Sequence, residues 1–140
     1  MKKDTSRILE ELNLCSDFST FYDENKQYMV SEKLPQMLDR IIEEKSLKKS
    51  QVIKEAEISE VYAYQIFSGL RKPERKKLLC LTIAMGLDLE ETQTLLKCAG
   101  YNTLYAKILF DSIVIYAIHQ KLSVIEINNL LFKHNLETLG

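Results

Sequence analysis

Residues 47–73 read LKKSQVIKEAEISEVYAYQIFSGLRKP, and this stretch decides the fold. Val52, Ile53 and Ala56 lie on one face of a short helix from Ser50 to Ala56. Ile58 and Ser59 make a turn, and the Ser59 hydroxyl is placed to cap whatever helix follows. That helix runs from Glu60 to about Ser68 and stops at Gly69, a residue at ease in the left-handed conformation of a helix end. Lys45 to Ser50 is a break, with Leu47 turned inward.

Working outward, the same period continues on both sides. Upstream, Leu34, Met37, Leu38, Ile41 and Ile42 fall at i, i+3, i+4, i+7 and i+8, an amphipathic helix with Pro35 in its first turn. Downstream, a helix is expected from about Arg75 to Met85, closed by Gly86. Asp88 and Glu91 then resemble a capping box opening a helix that ends near Gly100. Beyond it, Asp111 is expected to cap the apolar run SIVIYAI, and Ser123 with Glu126 to open a last helix carrying Ile127, Leu130 and Leu131. At the N-terminus, Asp4 or Thr5 can start a short helix bearing Ile8, Leu9 and Leu12, and Phe18, Phe21 and Tyr22 mark a loop or a second short helix. The expected organisation is an N-terminal helical segment (1–33), a helical block (34–100) and a C-terminal helical extension (101–140).

Composition agrees with an all-α chain. Its 140 residues are 46% hydrophobic and 28% charged, enough for a core without disulfides or metal, and they include only 4 Gly and 2 Pro, too few for a turn-rich β-sandwich. No apolar run is long enough for a transmembrane helix, and MKKDTSRILEEL lacks the apolar stretch of a secretory signal. Cys15, Cys80 and Cys98 are odd in number, widely spaced and without a C-x-x-C, which suits reduced thiols in a cytoplasmic protein. His119 and His134 have no partners at metal-ligand spacing. There is no nucleophile elbow and no phosphate-binding loop, so neither an enzyme nor a cofactor is expected.

Two short helices joined by a tight turn form the unit of a helix-turn-helix, whose second helix enters the major groove of DNA. The 47–73 stretch resembles the lambda-repressor-like, or Xre-type, family, whose pattern runs roughly L-S-Q-x-x-L-A-x-x-x-G-V-S-x-x-x-I-S-x-[IL]-E-x-G-x-R-x-P. Leu47, Val52, Ile58, Ser59, Ile66, Gly69, Arg71 and Pro73 fall in register with it, and IAMGLDLEETQTLLKCAGY resembles the close of the family's domain. The resemblance covers about half the chain and implies a five-helix core, with the tail from Tyr101 an extension that packs on that core or forms a dimer face. The departures are Lys49 for the usual Gln, Ile53 for a small Ala, Ala56 for a larger residue, Ala63 for a β-branched one, and Glu57 for the turn Gly. Ile53 and Ala56 read as a volume swap.

The resemblance implies a sequence-specific DNA-binding transcriptional regulator, acting on double-stranded DNA as a homodimer. It assigns base contacts to Glu60, Val61, Tyr62, Tyr64 and Gln65: Gln65 would pair with an adenine edge, Glu60 would accept from cytosine, and the tyrosines would touch phosphate or a thymine methyl. Phosphate contacts fall to Lys48, Lys49 and Ser50 at one helix start, to Ser59 and Ser68, and to Arg71, Lys72, Arg75 and Lys76. The net charge of −1 hides a local patch, since RKPERKK (71–77) carries five positive charges against one negative. By itself such a run reads as a solvated loop, and its place after a recognition helix is what argues for phosphate. The tyrosines equally suit packing against the next helix. The apolar run Ile108 to Ile118 reads either as core or as a dimer face. The alternative function is a protein-interaction module, or an antitoxin-like regulator that binds a protein partner; near-neutral charge, Glu57 and Glu60 support it.

Overall fold

The computed structural model describes residues 4–28 and 33–140, and every regular element among them is helical. The chain divides into two compact units, Met1–Ser31 and Glu32–Gly140. The segment boundary expected at residue 33 adjoins residues 29–32, which lie outside the described residues.

The first unit holds α1 (Thr5–Leu14) and α2 (Phe18–Asn25), followed by a 3-10 turn, Lys26–Tyr28. Asp4 caps α1 by accepting from the Ser6 N–H at 3.3 Å. Asp17 caps α2, accepting from the Thr20 hydroxyl at 2.6 Å and the Thr20 N–H at 3.3 Å, and these bonds hold its carboxyl below the usual carboxylate range. α1 buries no residue, and α2 buries only Phe21 and Asn25. Local capping, not a core, defines these helices.

The second unit is α3 (Leu34–Glu44), α4 (Lys49–Glu55), α5 (Glu60–Ser68), α6 (Arg75–Ala84), α7 (Leu89–Cys98), α8 (Leu109–Gln120) and α9 (Val124–Lys133). α3 packs on α5 and α7, and α4 on α5 and α6. α6 is central: it also meets α7 and α9, and Leu78, Leu79, Cys80 and Leu81 are fully buried. Burial pushes the Cys80 thiol up to about 11, so it behaves as a small apolar group. Ile53 on α4, Ala56 at the end of that helix and Ala63 on α5 are all buried.

The expected helix ends recur with their caps. Ser59 accepts from the Tyr62 N–H at 3.1 Å, and Gly69 closes α5 at φ +83°. Asp88 with Glu91 and Ser123 with Glu126 form reciprocal capping boxes. Asp111 departs from expectation. α8 begins three residues earlier, at Leu109 after Ile108, and Asp111 is not a cap but a buried side chain in the first turn, 2% exposed. The carboxylate finds more hydrogen-bond donors inside the fold than a cap position offers, as described below.

Residues 101–140 share the core of 34–100. Val114, Ala117, Ile127, Leu131 and Leu139 belong to the same buried cluster as Leu38, Ile66 and Leu95. The apolar run of α8 is therefore mostly core, through Ile113, Val114 and Ala117, while Ile108, Leu109 and Tyr116 stay more than half exposed. Among the described residues no helix is long and apolar enough to cross a membrane.

Candidate functional site

α5 buries Ala63, Ile66 and Phe67 against the unit, which turns Glu60, Val61, Tyr64 and Ser68 to solvent with Gln65 at the edge. Ser59 caps this helix, so its first turn is fixed by sequence-local chemistry and its rotation by the three buried residues. Val61 is 70% exposed and Tyr64 44%, and Leu70, just past the helix, is also strongly exposed. The exposed stripe carries one acid and no cation.

Cations stand on its borders. The Lys49 ammonium, at the start of α4, lies 4.7 Å from the Phe67 ring centre and 3.2 Å from the Asp39 carboxylate. Lys48 and Ser50 beside it are exposed. After Gly69 the chain folds back along α5, and the Arg71 guanidinium sits 5.4 Å from the Tyr62 ring centre. Lys72 lies 4.6 Å from the ring centre of Tyr101, whose hydroxyl donates to the Pro73 carbonyl at 2.6 Å. Tyr101 thus holds the basic loop from 28 residues away, a role with no local signal in the sequence.

Besides Lys49 with its Asp39 pair, three of the expected DNA-binding residues are engaged elsewhere in the fold. Tyr62 is half-buried, and its hydroxyl accepts from the Glu74 N–H at 3.2 Å, satisfying a free donor at the start of α6. Arg75 turns inward: Nη1 and Nη2 donate to the two Asp111 oxygens, each at 3.1 Å, while Nε donates to the Asn102 carbonyl and Nη2 also to that of Thr103. The Tyr105 N–H adds a further bond to Asp111 at 2.9 Å. This bidentate pair ties the loop carrying Arg71 and Lys72 to α8. Lys76 pairs with Glu137 at 3.0 Å, which lowers the Glu137 carboxyl below its ordinary range.

Ser59 and Ser68 also spend hydroxyl bonds on the helix, Ser59 as the cap and Ser68 donating to the Gln65 carbonyl at 3.1 Å. The residues brought together on one exposed face are Glu60, Val61, Tyr64, Gln65 and Ser68, bordered by Lys49, Arg71 and, beyond it, Lys72. Glu57 occupies the turn before this face at φ +58°. Among the described residues no group of three or more His, Cys, Asp or Glu side chains is placed to hold a metal ion. In comparisons with known proteins, no family model, no curated protein and no solved structure matches the chain.

Proposed function

We propose that the chain is a sequence-specific DNA-binding transcriptional regulator of the lambda-repressor-like, helix-turn-helix type. α3 to α7 would form its five-helix core, with α4 and α5 as the helix pair and α5 as the recognition helix. The observation that carries this reading is the exposed face of α5: polar and apolar side chains free to meet base edges, with cations set along the sides where a duplex presents phosphates. Gln65, Glu60, Val61 and Tyr64 are the base contacts, and Lys48, Lys49, Ser50, Ser68, Arg71 and Lys72 the backbone contacts. Arg75 and Tyr62 serve the site by positioning it. The regulator acts as a homodimer, and the exposed Ile108, Leu109 and Tyr116 of α8 form the pairing face.

A second reading is favoured by the apolar side chains of the same face. The exposed Val61 and Tyr64 with Glu60 suit a protein partner as well, in an interaction module or an antitoxin-like regulator.

Selection of random duplex DNA on the purified protein separates the two readings, with an Arg71→Ala/Lys72→Ala variant in parallel. The regulator enriches a motif and binds it in a salt-sensitive way. The double variant weakens binding across all sequences and lowers the salt slope by about 2, close to 0.9 for each phosphate that is no longer neutralised. Absence of any enriched motif, together with no salt-sensitive duplex binding, decides for the protein partner.

A further inference from the structure

The exposed face of α5 has a composition that restricts what it can read. A guanine edge offers two acceptors and is matched by the paired donors of Arg or Lys; an adenine edge suits Gln or Asn; the thymine C5 methyl is met only by apolar contact. From Glu60 to Ser68 the helix contains no Arg and no Lys. Its outward residues are Glu60, Val61, Tyr64, Gln65 and Ser68. Val61 is 70% exposed and takes no part in the buried core, so the fold does not call for an apolar side chain there. It lies in the first turn, just after the Ser59 cap, at the end of a recognition helix that conventionally reaches base edges. Tyr64, three residues on, lies on the same face and is 44% exposed.

Resting on the DNA-binding reading above, we propose that Val61 reads the C5 methyl group of a thymine, and that each half-site of the operator carries a T·A pair opposite the first turn of α5. Gln65, one turn along, takes the adenine edge of a neighbouring pair. The half-site then places a T·A pair at Val61 and an adenine at Gln65, with a cytosine amine left to Glu60, because the helix has no Arg or Lys to match the two acceptors of a guanine edge. Val61 is a specificity-determining residue, and the cations that border α5 supply affinity without sequence preference.

The test uses the full chain. A motif is first selected from random duplexes, and each thymine in it is then replaced singly by 2′-deoxyuridine, which removes the methyl group and leaves every hydrogen-bonding atom. At one thymine per half-site the wild type loses about fourfold in affinity, the worth of one buried methyl-sized group. Val61→Ala loses a similar factor on the thymine duplex and is indifferent to uridine at that position. Its thermal melting is followed alongside to show that an exposed substitution leaves the fold intact. A motif with no uridine-sensitive thymine, or equal uridine sensitivity in Val61→Ala, overturns the inference and leaves the DNA-binding reading standing. Failure to select any motif overturns both.

Discussion

At Glu57 the backbone adopts φ +58°, the left-handed region that costs an L-residue with a Cβ about 1 kcal/mol. The turn between α4 and α5 demands it, because the chain must reverse within the few residues from Ala56 to Ser59 while keeping Ala56 buried. Glu57 is itself exposed, so its side chain gains no packing that offsets the strain. Glu57→Gly is therefore expected to stabilise the protein by about 0.5–1 kcal/mol, read as a rise in urea midpoint at unchanged slope. No change, or a decrease, would mean that the Glu57 side chain is worth more than the strain.

At the scale of elements, the Arg75–Asp111 pair joins three pieces of chain. Arg75 opens α6, the carbonyls of Asn102 and Thr103 belong to the loop after α7, and Asp111 lies in α8. The carboxylate is almost fully enclosed, and among the described residues its partner besides Arg75 is the Tyr105 N–H. Removing the guanidinium strands a buried charge, which typically costs 3–5 kcal/mol; because the Arg75 side chain is 25% exposed, the lower end is expected. Arg75→Ala should thus cost about 3 kcal/mol in chemical denaturation. It should also weaken duplex binding, since the loop bearing Arg71 and Lys72 loses its anchor. A full-strength salt slope in a variant destabilised by that amount would show that the loop is held by Tyr101 alone.

For the whole molecule, the surface left over after the core is built is what association must use. α8 spends one face on the core and leaves Ile108, Leu109 and Tyr116 exposed on another. Dimerisation through this face predicts a concentration-dependent dimer in analytical ultracentrifugation, reduced to monomer by Leu109→Glu without loss of helical content, because Leu109 is 52% exposed. The selected DNA motif would then be a palindrome with half-sites about one helical turn apart. A Leu109→Glu protein that remained dimeric would move the interface elsewhere.

What the sequence determined by itself is most of what depends on near neighbours. The all-α class, the end of α5 at Gly69, the Ser59 cap and the capping boxes at Asp88 and Ser123 were all legible. Each is a matter of residues within four positions of one another, the range over which helix period and capping act. The exposed face of α5 was legible in part: of the positions the resemblance set outward, Glu60, Val61 and Tyr64 are exposed, while Gln65 and Tyr62 are half-buried. What only the tertiary structure decided is where the long polar side chains spend their hydrogen bonds. Arg75 lies in a run of cations and reads as one more, yet its partner is 36 residues away. Asp111 reads as a cap and is instead that partner, and of the two places open to Tyr62, the outward face or the next helix, the fold takes the second, its hydroxyl accepting from the Glu74 N–H at the start of α6. Apolar residues announce their burial through a period along the chain. A buried guanidinium or carboxylate is stable only where distant segments supply its donors and acceptors, and no local pattern records which segments those are.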